Sequence, residues 1–340
     1  MTVLPDPWPW LLGHALQAPS PHNVQPWRLK LLGEREAELW IEQRRTLPNE
    51  DVTGSFIILT MGLFLETLRI VAAHRGFSVD EERVRELDAY SAERLRAIRD
   101  PFVPFARLRL REDSSAEPTH ALELLDRRRT SRLAYGPEAV DAGTAERLDA
   151  IARWWKHRYA QVTEVSRIER LLDWNVEAVF EDLNHAPYHD EIAGWIRYSN
   201  TSSQRHRDGL DARCMNVAPA ELWLTFHAPA LLKLGFARPW FRRRYRDQIG
   251  PVATMGFLSG PFWDPRDAYR AGALLMHFWL ECTRLGWYLH PYGNLVTNRP
   301  TAAKVEAEMG LPDIWLAFKI GRSPEPPKSR RRSIEEVLLA

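Results

Sequence analysis

The sequence predicts an α+β chain built as two related halves, each with a sheet packed on a central buried helix. Three observations carry this. Two long apolar segments lie 210 residues apart and share one pattern. Runs of alternating apolar and polar residues flank both. A polar, aperiodic stretch, Asp113-Ser114-Ser115-Ala116-Glu117-Pro118, lies between them and marks a boundary. The expected division is 1–115 and 116–340, with a lid-like insertion in the second half at about 174–250.

The first apolar segment starts at Gly62-Leu63-Phe64-Leu65-Glu66-Thr67-Leu68, and the second at Gly272-Ala273-Leu274-Leu275-Met276-His277-Phe278. Both are apolar on nearly all sides, as a helix at the centre of a core is. Each stops at a glycine and an aromatic residue, Gly76-Phe77 and Gly286-Trp287. A glycine there can turn left-handed and close the helix, and the next apolar residue packs back on the last turn. Phe56 to Ala73 is the most apolar stretch of the chain, yet it carries Glu66 and Arg69, so it reads as a core helix and not a membrane span. Taken alone, the likeness also fits two unrelated buried helices.

Among the strands, Trp27, Leu29 and Leu31 alternate with polar residues. Gly33-Glu34-Arg35-Glu36 then turns into Leu39 and Ile41, a hairpin pattern. Ala106 to Arg111 alternates likewise, and Tyr159 to Val165 more weakly. Val252 to Leu258 and Ile314 to Ile320 read as strands covered on both faces. The insertion is rich in His, Trp, Tyr and Arg and contains the turn signal Arg207-Asp208-Gly209. Segments of this length often cover a site. The Pro- and Arg-rich tail, Arg322 to Arg332, reads as extended along the surface.

Composition narrows the classes. The 340 residues are 45% hydrophobic and 27% charged, ordinary for a globular chain. A net charge of +1 gives no global field that would favour nucleic acid or a membrane. Two cysteines without a CxxC pair fit a reducing compartment. Met1 to Pro7 lacks the features of a signal peptide, so a cytoplasmic location is expected. Fourteen tryptophans offer flat walls to a core or to a planar ligand. The chain has no GxGxxG, GxxxxGK[ST] or GxSxG string. His185 and His189 stand four apart, but Pro187 between them argues against a regular helix and hence against a metal site. Arg238 to Arg246 mixes cations with aromatics. With so little net charge it reads as a basic lid face, suited to nicotinamide-cofactor phosphates or an anionic substrate. Cys282 reads as inert packing.

Three strings remain. In Pro19-Ser20-Pro21-His22-Asn23 two prolines stiffen a loop that presents Ser20 and Asn23; the same residues also fit a helix cap. In Arg127-Arg128-Arg129-Thr130-Ser131-Arg132 an extended backbone puts Arg128, Thr130 and Arg132 on one side, a donor set suited to phosphate. It also fits a solvated basic turn at a helix end. Lys328 and Arg330 repeat the i, i+2 spacing near the C-terminus and equally fit a disordered basic tail.

Read together, these strings resemble the nitroreductase family. The resemblance runs through Ala18-Pro-Ser-Pro-His-Asn-Val-Gln-Pro-Trp27, Arg128 to Arg132, the buried helix ending in glycine, Gly286-Trp-Tyr-Leu-His-Pro-Tyr-Gly-Asn294 and Pro327-Lys-Ser-Arg330. The insertion matches only loosely. The usual family member binds FMN at two sites between identical subunits. Here the first half keeps the proline-flanked loop without an arginine string ahead of it. The second half keeps the string and the tail, but has Ala152-Arg153-Trp154-Trp155-Lys156 where its own loop should follow. The chain thus resembles the fused, internally duplicated subgroup that includes the mycobacterial Acg-type proteins. The implied fold is a nitroreductase-like pseudo-dimer with one complete site.

Position by position, the resemblance implies that Arg128, Lys328 and Arg330 hold the FMN phosphate. Thr130 and Arg132 contact the ribityl chain or ring edge, and Pro19, Ser20 and Asn23 meet the isoalloxazine. Pro291 and Gly293 belong to the loop beside flavin N5, where the family often has a longer polar or acidic residue. The implied function is hydride transfer from NADH or NADPH, through N5, to an electron-poor nitroaromatic or quinone-like molecule or a pathway-specific substrate. No catalytic side chain is identified; Tyr292 and His290 are the candidates for proton delivery. The alternative is a flavin-sequestering or storage protein whose insertion covers the FMN. The expected partners are small molecules, with neither nucleic acid nor membrane, and the oligomeric state is left open because one chain can act as a pseudo-dimer.

Overall fold

A computed structural model describes residues 6–228 and 237–339. By compactness the chain forms two units. The first comprises Met1–Arg127, Phe262–Leu280 and Arg330–Ala340, and the second Arg128–Pro261 and Glu281–Ser329. The expected division at 115/116 rests on the polar stretch Asp113 to Pro118, whereas compactness ends the first stretch at Arg127 and gives that unit two later stretches of chain.

In the first unit, β1 (Trp27–Leu31) and β2 (Glu36–Glu42) form the expected hairpin. With β3 (Phe77–Arg83) and β4 (Phe102–Glu112) they make a sheet of order β1-β2-β4-β3, antiparallel throughout. Val103, Phe105, Leu108 and Leu110 of β4 turn inward while Arg107 and Arg109 stay exposed. Pro104 cannot donate to a ladder, and the β2–β4 register shifts there, between Leu39 and Trp40. The sequence reading had no β3. Its acidic residues sit opposite arginines of β4, Asp80 across from Arg109 and Glu82 from Arg107, so charge complementarity stands in for apolar alternation.

The helix Ser55–Ala73 is long and apolar enough to cross a bilayer, and it is largely buried in this fold. The Asp51 carboxylate accepts the Ile57 N–H at 2.9 Å near the start of that helix. The second apolar helix is Pro265–Arg284. Its closing turn is the predicted glycine cap: Gly286 has φ +79°, its N–H donates to Thr283 O, and the Trp287 N–H donates to Cys282 O at 2.8 Å. The two helices approach at their related glycines. A Cβ on Gly62 would lie 2.2 Å from the Tyr269 carbonyl oxygen, and one on Gly272 would lie 2.4 Å from that of Leu59. These contacts exchange under a shift of 210. So do two side-chain pairs one turn on, Glu66–His277 at 2.9 Å and Thr67–Met276 at 3.4 Å.

In the second unit the strands are β5 (Arg158–Val162), β6 (Ile196–Arg197), β7 (Leu210–Asp211), β8 (Met255–Ser259), β9 (Tyr288–Pro291) and β10 (Ile314–Gly321). The main sheet has order β5-β8-β10-β9, again antiparallel throughout. β8 and β10 are buried along their length, as strands covered on both faces should be. In each unit the sheet's strands follow the order first, second, fourth, third. The register agrees as well. Val79 pairs with Leu110 in the first sheet and Leu289 with Ile320 in the second, each shifted by 210.

The insertion is mostly helical and carries β6 and β7 as a short parallel ladder. Ile196, Ala212 and Leu222 give it a small core of its own. The expectation for His185 and His189 needs correcting. Pro187 lies in the first turn of the helix Ala186–Trp195, where proline is tolerated, so the break falls at His185 and His189 is helical. No group of three metal-ligating side chains occurs among the described residues. Residues 229–236 of the insertion lie outside the described residues.

Candidate functional site

In the second unit, the arginine string, the C-terminal tail and β9 come together. The string runs on from the helix Leu122–Arg127 and meets β9 through a parallel bridge, Thr130 to Leu289, with the Ser131 N–H donating to Leu289 O at 3.1 Å. Side chains alternate along it. Arg129 donates to Pro326 O at 2.7 Å and pairs with Glu325, and the Ser131 and Ser323 hydroxyls meet at 2.7 Å. The odd-numbered pair therefore grips the tail. In an extended segment Arg128, Thr130 and Arg132 fall on the side opposite that pair. Arg128 is 6% exposed, and Arg132 donates to Cys214 O at 3.3 Å.

Cys214 ties the tail down further on. Its thiol donates to Pro327 O at 3.6 Å and lies 3.8 Å from the Ser329 hydroxyl. Arg213 donates to Lys328 O at 3.2 Å. Burial pushes the Cys214 thiol up, and the nearby Asp211 adds to the shift, so it packs as a neutral group. These contacts fasten the extended tail, which stays part-exposed over most of its length from Arg322 to Arg331.

The loop after β9 carries the remaining predicted residues of this unit. Pro291 pairs with Phe318, and the Tyr292 N–H donates to Ala317 O at 2.7 Å. Gly293 starts the short helix Asn294–Thr297 with φ −54°, which any residue can adopt, so the conformation there does not require glycine. Asn294 and Asn298 both donate to Asp182, which fastens the insertion to this turn. Burial, with Arg132 and Lys319 nearby, holds the His290 imidazole well below its ordinary value. Burial carries the Tyr292 phenol well above its own. A neutral imidazole and a weakened phenol are poor proton donors near pH 7.

In the first unit, Pro19, Ser20 and Asn23 sit in a loop of unusual backbone. His22, Asn23 and Gln25 have φ of 44°, 56° and 51°, all left-handed without glycine. Ser20 accepts the Gln25 N–H at 3.0 Å, and His22 pairs with Glu50. The end of the chain braces the loop. Asn23 donates to Arg330 O at 3.0 Å and accepts from Arg331 at 2.9 Å. Gln25, fully buried, accepts the Arg332 N–H on its side chain at 2.9 Å and the Arg332 guanidinium on its carbonyl at 3.3 Å. Burial first, then Arg45 and Arg28, lower Arg332 to about 10.

Sequence reasoning missed Gln25, Arg331, Arg332, Cys214 and Lys319. The string Gln25-Pro26-Trp27 and the run Arg330-Arg331-Arg332 were visible, but no local pattern links residues some 300 positions apart.

The chain matches no family model. It is 25% identical over 332 residues to a Mycobacterium tuberculosis (strain H37Rv) protein named provisionally as an NAD(P)H nitroreductase, covering 95% of this chain and 88% of that protein. It is 23% identical over 350 residues to an uncharacterized protein of the same strain, covering 95% of this chain and 90% of that one. Among solved structures it is similar to the FMN- and NADPH-dependent nitroreductase NfnB of sphigopyxis sp. strain HMH, at 20% identity and a TM-score of 0.38 over 63% of this chain and 96% of that one. It is also similar to NfnB of Mycobacterium smegmatis in complex with NADPH, at 17% identity and a TM-score of 0.38 over 63% of this chain and 94% of that one.

Proposed function

We propose that this chain is an FMN-dependent oxidoreductase that uses NADH or NADPH to reduce an electron-poor small molecule. The observation that carries the proposal is the alternation along residues 128–132. Arg129 and Ser131 hold the tail that bears Lys328, and Arg128, Thr130 and Arg132 fall on the opposite side of the same extended segment. The donor set fits the proposed group, since guanidinium and ammonium groups bind phosphate by charge-assisted hydrogen bonds. The likeness to a provisional NAD(P)H nitroreductase across nearly the whole chain supports the same reading.

In this reading Arg128, Lys328 and Arg330 bind the phosphate, and Thr130 and Arg132 orient the ribityl chain or ring edge. Pro19, Ser20 and Asn23 meet the ring, and Pro291 and Gly293 border it. Bound FMN supplies the two-electron chemistry. Arg132 favours negative charge on the ring side, a preorganised electrostatic effect. His290 stays neutral, and Tyr292 keeps its proton.

We further propose that the chain arose by internal duplication and carries one flavin. The shared strand order, the common register and the exchange of contacts under a shift of 210 support this. The fused, Acg-type subgroup remains the proposed affiliation, and a cytoplasmic location the proposed compartment. The fastening of the insertion to the 294–298 turn through Asp182 favours a second reading, a flavin store with a covered ring.

Released-cofactor analysis of purified protein tests the first reading, with one FMN per chain expected. Arg128→Ala and Asn23→Ala should each cut occupancy at least tenfold; full loading of either variant refutes the residue assignment. Anaerobic mixing with NADH or NADPH then separates enzyme from store. Rapid bleaching of the flavin supports the enzyme, and no bleaching with either donor supports storage.

A further inference from the structure

The insertion holds a cavity of about 230 Å³ at the ends of its two strands. β6 and β7 run parallel, with Arg197 opposite Asp211, so the chain leaves both on the same side of the ladder. Crevices form there, beyond the carboxyl ends of parallel strands. Tyr198 and Ser199 follow β6, while Asp211 closes β7 and Arg213 comes soon after. With Val217 and Pro219 they line the cavity. The flavin reading makes no use of this space. Its walls are flat and apolar. Tyr198 and Val217 pack on the insertion's own core. The Tyr198 ring meets His227 edge-on at 5.2 Å, and His227 stacks on Trp223 at 4.7 Å, which steadies that wall. The polar groups are few and distinct. Asp211, 5% exposed, accepts the Cys214 N–H at 2.8 Å, the Ser203 hydroxyl at 3.2 Å and Arg213 at 3.4 Å, three of the about four bonds a carboxylate can take. Burial raises its carboxyl, but the Cys214 N–H and Arg213 outweigh it and hold the group below its ordinary value, so it only accepts. Ser199 accepts the Ser202 N–H at 3.1 Å and keeps an O–H to donate.

We propose that this cavity binds the adenine ring of an adenine nucleotide, with Asp211 accepting from the ring's amine, Ser199 donating to a ring nitrogen and Arg213 pairing with the phosphate. Flat apolar walls select a planar ring. A carboxylate that only accepts selects a ring carrying an N–H donor. It rejects acids, nitro groups and quinone carbonyls, which have no proton to give. A guanidinium beside it selects an anionic substituent. The volume falls below the roughly 300–1,000 Å³ of sites for drug-sized ligands, so it takes one ring system and not a whole dinucleotide. Under the oxidoreductase reading, on which this last step rests, the site anchors the adenosine half of NADH or NADPH. Arg213 also donates to Lys328 O at 3.2 Å, which ties the anchor to the tail proposed to hold the flavin phosphate.

The test is calorimetric titration of the full-length protein with adenosine 5′-monophosphate. Saturable binding at one site per chain is expected. Guanosine 5′-monophosphate puts an oxygen where adenine has its amine, facing the Asp211 carboxylate, and should bind at least about tenfold more weakly. Val217→Trp fills the cavity and should abolish binding. Arg213→Met should weaken the adenine nucleotide about tenfold and adenosine less than about twofold. The guanine comparison needs no variant, so it decides the matter even if Val217→Trp does not fold. The proposal is overturned if the adenine nucleotide gives no saturable binding, if the guanine nucleotide matches it, or if folded Val217→Trp binds like the parent. Binding that added FMN competes away also overturns it, because the nucleotide then occupies the flavin site. The two readings fail separately. Adenine-nucleotide binding in a protein whose flavin neither donor bleaches refutes the oxidoreductase and keeps the site. Bleaching without adenine-nucleotide binding refutes the site and keeps the oxidoreductase.

Discussion

Single residues hold the proline-flanked loop in a backbone that L-amino acids resist. Three left-handed residues within four positions cost on the order of 1 kcal/mol each. Gln25 repays part of this, since its amide serves both the Asn23 carbonyl and the Arg332 N–H. Gln25→Leu leaves both buried without those bonds. Urea unfolding should show a loss of about 2–4 kcal/mol; a change under 0.5 kcal/mol would deny Gln25 this role. Asp51 makes the opposite contribution. Burial raises its carboxyl to about 6, against hydrogen bonds from the helix start that lower it. A carboxyl raised on folding destabilises the fold as pH climbs from its ordinary 3.8 to about 6, and the loss levels off above that. Asp51→Asn keeps an acceptor for Ile57 but cannot ionise. Its Tm should therefore be flatter than the parent's between pH 4 and 6, and an unchanged slope would remove Asp51 as the source.

At the scale of elements, the backbones of the two apolar helices approach most closely at their glycines. An added methyl at Gly62 or Gly272 strikes a carbonyl oxygen of the facing backbone, which cannot swing aside as a side chain can. Gly62→Ala and Gly272→Ala should each cost about 3 kcal/mol or more, judged by thermal unfolding. Gly76→Ala should cost about 1 kcal/mol, since it pays only for φ +67°. Equal losses at all three positions would refute the close approach. A polar chain follows along the same helices, His120 to His277 to Glu66. Burial raises Glu66, but His277 and Arg69 outweigh it and lower its value. Its share of stability is therefore present above the ordinary 4.5 and is lost as pH falls through the lowered value. The elements themselves were mostly legible. Alternation located β1, β2, β4 and β5, and continuous apolar runs located β8 and β10. β3 was not legible, because its sequence Ser-Val-Asp-Glu-Glu-Arg has charges where a half-buried strand has apolar residues, and only the arginines of β4 explain it. Pro187 misled because a helix tolerates proline in its first turn and the sequence did not reveal where that turn began.

The first unit is closed by residues 330–339. Leu339 donates to Leu29 O at 2.7 Å, Arg332 and Arg28 both reach Glu336 O, and a capping box fixes Ser333 and Glu336. Ending the chain after Ser329 removes every brace on Asn23 and Gln25 that Arg330, Arg331 and Arg332 provide. Limited proteolysis should then cut within residues 17–25 far faster than in the full chain. Protection equal to that of the parent would show that the loop holds itself. The site was legible only as separate strings. Their residue types pointed to phosphate and ring chemistry, but the joints between them could not be read: Arg129 to Pro326, Asn23 to Arg331, Cys214 to Pro327. Each joins stretches far apart in the chain, and only folding pairs them.

The common register of the two sheets lets equivalent positions be matched one for one. Where the second sheet carries His290, Pro291 and Tyr292, the first carries Asp80, Glu81 and Glu82, and Lys319 answers to Arg109, which is occupied by Glu36. Carboxylates there would repel a phosphate-bearing molecule, so this edge of the first sheet suits a scaffolding role, while the proline-flanked loop of the same unit is the part proposed to meet the ligand. Saturation mutagenesis should accordingly find residues 77–83 permissive on their outward face and residues 287–293 intolerant, an asymmetry between two sheets of common register.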